Sequence, residues 1–178
     1  YLSATCDYAA DAGMQQRFAN LDKVILTQGF VARNRNGETV LLGRGGSDTS
    51  AAYFAARLQA RRLEVWTDVP GMFTADPRVV PSARLLVALH FDEAQELASA
   101  GSSVLHPRCL DPVERSGIPL DIRNTFAPAA DGTRIWTTSL ASQRASFCSR
   151  SSASNAWSVN LPILHGCPNR NWCRSTCA

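Results

Sequence analysis

Residues 41–52 read LLGRGGSDTSAA, an apolar pair that runs into a glycine-rich loop and then into small residues suited to a helix. A phosphate-cradling P-loop of the GxxxxGK[ST] type needs a lysine beside its glycines, and a dinucleotide fingerprint needs GxGxxG. The stretch satisfies neither. Its order of strand end, glycines and helix start is nevertheless that of a ligand-binding turn. Gly45 and Gly46 permit close approach of backbone to a ligand. Arg44 offers a planar fork suited to carboxylate or phosphate, and Ser47 offers a small hydroxyl. Either Ser47 or Asp48 is predicted to cap the helix through a side-chain oxygen, and Ala52, Ala55, Ala56 and Leu58 give that helix a close-packing side. Each of these residues also has a plain reading as a turn or cap.

Upstream, the β-rich run VILTQGF at 24–30 predicts a strand, and Asn36-Gly37 predicts a tight hairpin, with both residues at positive φ, leading into TVLL at 39–42. Downstream, LEVWTDV at 63–69 predicts a strand and PGMFTADPRVVP at 70–81 a loop punctuated by proline and glycine. FDEAQELASAG at 91–101 predicts a helix ended by Gly101, and IPLDIRNT at 118–125 another strand. Alternating strands and helices predict the α/β class. Ligands in such proteins gather at the carboxyl ends of strands, where helix N-termini present N–H groups. GRGGSD and WTDVPG both fall there, so the two loops are expected to form halves of one site, with Arg78 as a second cationic fork.

Composition narrows the function classes. The 178 residues, 45% apolar, suffice for a buried core. No apolar run approaches the roughly 18 residues of a membrane span, and no signal-peptide pattern opens the chain. A cytoplasmic protein is expected, without a membrane partner. The net charge of +3 arises unevenly, since all 15 acidic residues lie at or before Asp131 while Arg144, Arg150, Arg170 and Arg174 lie after Leu140. The body therefore lacks the basic footprint of a nucleic-acid binder. The opening YLSATCDYAA reads as the interior of a gene product, so a fragment is expected.

The motifs taken together resemble the aspartate kinases of the amino-acid-kinase family. LGRGGSDTSAA, EVWTDVPGMFTADPRVVP, DEAQELA, GSSVLHP and IPLDIRNTFAP with GTRI follow the family's order over about residues 1–135. YLSATC and FAARLQARRLEVWTDVPGMF look most like the kinase portion of bacterial bifunctional aspartate kinase/diaminopimelate decarboxylase. The resemblance implies an αβα sandwich around a mainly parallel central sheet, incomplete at the N-terminus. It implies transfer of the ATP γ-phosphoryl to the β-carboxylate of L-aspartate, giving 4-phospho-L-aspartate for lysine, threonine and methionine biosynthesis, in an enzyme that is a homo-oligomer when intact. Arg44, Gly45 and Ser47 would hold aspartate, and Asp48 would orient catalytic lysines rather than take a proton. Thr67, Asp68, Phe73, Arg78, Ser103 and Val104 would meet ATP, whose oxygens and water would hold Mg2+. Such chemistry needs charge neutralisation and in-line geometry more than covalent help.

Three departures qualify this. The family's Lys-Phe-Gly-Gly-Thr-Ser segment is not in the sequence, and Ser103 stands where the family has a phosphate-binding lysine. Lys23 is the one lysine of the chain, so little activity is expected from the chain alone. A degenerate binding module, or a kinase for another amino acid such as a glutamate derivative, remains as an alternative. The third departure is the tail. Residues 1–138 read as the C-terminal part of a kinase catalytic domain, and 139–178 as a Ser/Arg/Cys-rich stretch without helical or strand period, expected to be disordered or out of frame. His165, Cys167, Cys173 and Cys177 lack the paired spacing of common zinc sites, and a disulfide is disfavoured in the cytoplasm. His106 is expected to cap or pack, Trp66 to sit in a strand core, and Cys6 and Cys109 to be small buried hydrophobes.

Overall fold

The 41–52 stretch folds as a strand end, a left-handed turn and a helix. In the computed structural model, residues 6–137 apart from 20, 22 and 103 are described, together with the backbone of 158–162. Strand β1 (Val31–Arg33) pairs antiparallel with β2 (Thr39–Leu41), with Ala32 opposite Val40. The expected hairpin forms, but its turn has one left-handed residue, Gly37 at φ 83°, rather than an Asn-Gly pair. The N–H of Gly37 donates to the Asn34 carbonyl at 3.0 Å, and the Asn34 side chain accepts from the Glu38 N–H at 2.9 Å. This is the longer hairpin loop, a turn closed by a left-handed glycine.

The predicted strand at 24–30 does not form. Val24 and Leu26 are 98% and 95% exposed, and pairing starts only at Val31. Apolar patterning reports which side chains want burial, whereas a strand also needs a free edge for its N–H and C=O groups. The helix α1 (Ala12–Ala19), which sequence reading missed, packs against α2 (Gly46–Leu58). It is tied there by the Arg57 guanidinium on the Asp11 carboxylate and by the Asp11 N–H on the Arg57 carbonyl at 3.0 Å.

After α2 the chain enters β3 (Arg62–Thr67), then β4 (Ala88–His90), α3 (Phe91–Ser99), a 3-10 turn (Pro107–Cys109) and α4 (Leu110–Arg115). Strands β5 (Leu120–Asn124), β6 (Thr133–Trp136) and β7 (Ser158–Pro162) follow. The sheet order is β4-β6-β5-β3-β7, parallel at every junction except β5 with β6. The α/β class and the mainly parallel sheet are as expected. One face of the sheet carries Leu63, Val65, Leu120, Ile122 and Ile135, which join Ala52 and Ala55 of α2, Phe91 and Ala94 of α3, and Leu110 and Val113 of α4 in a single buried cluster. The described helices α2, α3 and α4 thus share one face.

Period-two alternation puts polar residues on the opposite face. Arg134 forks onto Asp121 at 2.6 and 3.0 Å, which holds the guanidinium pKa up. Arg62 pairs with Glu64 at 2.9 Å, Trp66 Nε1 donates to Glu64 at 3.2 Å, and Arg123 stacks over the Trp66 ring at 5.4 Å. Trp66 is therefore half-buried on the polar face rather than in the core. Cys109 is fully buried as expected, and burial pushes its thiol pKa well up, whereas Cys6 is only half-buried. The tail, read as lacking strand period, supplies β7 in parallel register with β3, Val159 opposite Leu63 and Leu161 opposite Val65. Its four cysteines and His165 lie outside the described residues. No described helix is long and apolar enough to cross a membrane.

Candidate functional site

The helix α2 begins two or three residues earlier than its polar residues predict. Gly45, at φ 67°, is the N-cap, and it offers no side-chain cap bond. Ser47 and Asp48 lie inside the first turn, where the helix dipole favours the carboxylate. The turn is built by glycines because both Gly43 (φ 76°) and Gly45 are left-handed, and because the Gly46 N–H closes back on the Gly43 carbonyl at 3.0 Å. At Gly45 there is a second reason: an added Cβ would lie 2.2 Å from the His106 ring. Arg44 is exposed on this turn and Ser47 half-buried beside it.

A strap formed by 105–108 locks the glycine turn. The His106 N–H donates to Asp48 Oδ2 at 3.1 Å, which holds a carboxylate that is only 7% exposed. The His106 ring caps the 3-10 turn by accepting from the Arg108 N–H, as expected of a capping histidine. Arg108 Nη1 in turn donates to the Leu42 carbonyl at 3.0 Å, just past β2. Sequence reading missed Arg108, although Pro107 at the first position of the turn marks the start of a short helix. Ser103 lies outside the described residues, while Val104 packs against the core cluster.

Burial, together with Arg108 and Arg44, lowers the pKa of His106, and Asp48 opposes them. The folded chain therefore holds this imidazole neutral at pH values where the unfolded chain is already protonated. Its contribution to stability is complete above the ordinary 6.5 and is lost as pH falls from there through the folded-state pKa. In an NMR titration of the three histidines, His106 is expected to show a midpoint below 6.5. A midpoint at or above that of a free histidine would contradict this environment.

The second loop leaves β3 at Thr67, whose hydroxyl is 3.1 Å from the exposed Asp68 carboxylate and whose carbonyl accepts from the Thr125 N–H. Gly71 is buried, and a Cβ added there would lie 2.4 Å from the hydroxyl of Thr133, which accepts the Met72 N–H at 2.8 Å. Phe73, half-buried, bridges to Leu85 and so ties the loop into a small hairpin. Arg78 stands at the exposed tip of this loop, with its N–H on the Asp76 carboxylate. Since α2 runs back against β3, its N-terminus and the Thr67 end of β3 face the same edge of the sheet. His90, unassigned from sequence, closes a capping box on α3 with Glu93.

A glycine turn at a helix N-terminus and an acidic turn at a strand end, on a mostly parallel sheet with helices packed on one face, define an α/β domain. The chain belongs to the amino acid kinase family, whose model matches residues 6–124. It is 54% identical over 114 residues to a bifunctional aspartokinase/homoserine dehydrogenase of Haemophilus influenzae, a match covering 64% of this chain and 14% of that protein. It is 46% identical over 112 residues to lysine-sensitive aspartokinase 3 of Escherichia coli, covering 63% and 25%. Among solved structures, E. coli aspartokinase III in complex with aspartate and ADP is similar at 47% identity and a TM-score of 0.60, over 62% of this chain and 25% of that one. The chain thus spans between about a seventh and a third of the length of these aspartokinase relatives.

Proposed function

We propose that this chain is the part of an aspartate kinase that binds the aspartate carboxylate and the nucleotide, for ATP-dependent formation of 4-phospho-L-aspartate on the route to lysine, threonine and methionine. The observation that carries the reading is the glycine turn at the head of α2. It exposes the Arg44 fork while its own strap holds Asp48, within a segment 47% identical to an enzyme solved with aspartate and ADP. In this reading Arg44 takes a carboxylate of aspartate, with Gly45 and Ser47 lining the approach, and Asp48 orients cations. Thr67, Asp68, Phe73, Arg78, Ser103 and Val104 meet the nucleotide.

The residues present fit such a ligand. Arg78 is exposed at the loop tip, and α2 is long enough to present a dipole end at the turn. ATP supplies the phosphoryl group, and Mg2+ carried on its oxygens neutralises their charge. This chain's residues bind, orient and neutralise. The intact enzyme is proposed to be a cytoplasmic homo-oligomer. The family's phosphate-binding lysine is replaced by Ser103, a neutral donor, and this supports a second reading in which the chain binds ligands without turnover.

The test exchanges this chain's segment for its 47% identical counterpart in E. coli aspartokinase III and measures aspartate-dependent ADP release. Arg44→Lys is expected to lower kcat/KM for aspartate by about tenfold, since one ammonium cannot reproduce a bidentate fork, while KM for ATP stays put. Unchanged aspartate kinetics would remove Arg44 from the site. Ligand binding without ADP release would favour the second reading.

A further inference from the structure

We infer that Ser50 is a positioning residue for the glycine turn: its hydroxyl, together with the left-handed backbone of Phe30, ties the entrance of the turn to its exit and so sets Arg44 relative to Ser47. Ser50 acts through these residues. Because Arg44 and Ser47 are read as the aspartate half of the site, the role rests on that proposed function.

The tie uses both polar backbone groups of Phe30. Its carbonyl accepts from the Leu42 N–H at 2.9 Å, and its N–H donates to Ser50 Oγ at 2.9 Å. Leu42 leads into the turn. Ser50 lies one turn into α2, and its hydroxyl donates in its own right to the Gly46 carbonyl at 2.9 Å, gripping the residue on which the helix begins. Gly43, Arg44 and Gly45 are thus spanned at their base by a continuous run of hydrogen bonds. Packing follows the same path: a Cβ on Gly46 would lie 2.6 Å from the Phe30 ring, and one on Gly29 would lie 3.3 Å from Ser47 Cα. Residues 29–30 therefore lie directly against the first two residues of α2.

Two observations separate this from ordinary helix chemistry. Phe30 stands at φ 71°, a backbone conformation that a bulky side chain rarely adopts. Such strain persists only where the surroundings hold it, and the bonds to Ser50 and Leu42 do so. Thr49 supplies the comparison, since its hydroxyl also bonds back four residues, to the Gly45 carbonyl at 2.9 Å, as serine and threonine commonly do within helices. Of the two, among the described residues, only Ser50 also accepts from another segment. Ser50 is 7% exposed, so water has little access to compete for its hydroxyl.

The experiment compares Ser50→Ala and Ser50→Thr with Thr49→Val as the control. In the full 178-residue chain, hydrogen exchange by NMR reads the tie itself. The Phe30 amide should exchange about tenfold faster or more in Ser50→Ala, as expected of a lost local bond, and at its original rate in Ser50→Thr and Thr49→Val. Ser50→Cys, close in size but with a weakly accepting sulfur, should follow Ser50→Ala. In E. coli aspartokinase III carrying this segment, Ser50→Ala should raise KM for aspartate about tenfold, the scale on which slight misplacement of binding groups acts, and leave KM for ATP unchanged. Ser50→Thr should restore it. Simple destabilisation would instead lower the active fraction, and with it kcat, at unaltered KM. If the exchanged kinase does not turn over, the aspartate Kd from calorimetry takes the place of KM. An unchanged Phe30 amide in both Ser50→Ala and Ser50→Cys overturns the inference, as does unchanged aspartate KM in these variants while Arg44→Lys impairs aspartate use. If Arg44→Lys is silent as well and the Phe30 amide still responds, the aspartate reading fails, and Ser50 keeps a structural tie without the positioning role.

Discussion

Gly132→Ala should destabilise the fold by about 3 kcal/mol, at the upper end of what one inserted methyl group costs in a packed interior. The added Cβ would lie 1.8 Å from the Ile122 carbonyl oxygen and 3.0 Å from its carbon. These are backbone atoms of β5, so no side-chain rotation relieves the contact. The antiparallel junction that pairs Ile122 with Thr133 would have to open. Thr133 also carries the Met72 N–H and lies on Gly71, so the shift would reach the loop that follows β3. For a chain of this size the loss corresponds to a fall in Tm of about 6–12 °C. Gly117→Ala is the control. Gly117 is left-handed at φ 65°, but a Cβ there meets nothing within 4 Å, so only the conformational cost of about 1–2 kcal/mol applies. Equal falls for the two variants, measured by thermal or urea unfolding, would show that the β5–β6 junction yields easily.

The same contrast between local and long-range causes explains what sequence could and could not reveal. The strand β3, the helix α3 with its stop at Gly101 and the strand β5 follow from period, caps and breakers that lie within each segment. The short strands β4 and β6 have no such internal signal, since three or four residues exist as strand only by pairing, Leu89 of β4 opposite Ile135 of β6 and β6 in turn against β5. At 24–30 the local signal is strong and the pairing absent, because an edge is a property of the sheet and not of the run. The head of α2 shows a subtler case. Ser47 and Asp48 are good cap residues, yet the cap falls on Gly45, because His106 leaves no room for a side chain there and draws Asp48 into its own N–H.

The candidate site divides along the same line. GRGGSD and WTDVPG were legible because glycines, forks and carboxylates stand together in sequence. The strap that joins the first loop to the 105–108 segment was not, because His106 and Asp48 are 58 residues apart. Nothing in a single sequence pairs them.

That strap makes Asp48 the most informative residue of the site, and Asp48→Asn should lower turnover of the exchanged kinase by about 100-fold or more, the scale of losing one organised electrostatic group. Asparagine keeps a carbonyl oxygen for the His106 N–H, now bonded at 3.1 Å, so folding should change by less than about 1 kcal/mol through the lost charge at the helix head. Under the proposed function, what disappears is the anion that would orient cations around the transferring phosphoryl group. Asp48→Ala removes the acceptor as well, and the His106 N–H then loses this partner at a cost of about 1–3 kcal/mol in stability. The two variants therefore separate the roles: asparagine should fall in kcat alone, alanine in kcat and in Tm. Full turnover by Asp48→Asn would leave the carboxylate as a strap anchor only. The reaction would then need its cations ordered by some other group, since apart from Asp48 the glycine turn offers no side chain with a negative charge, only N–H donors, the Ser47 hydroxyl and Arg44.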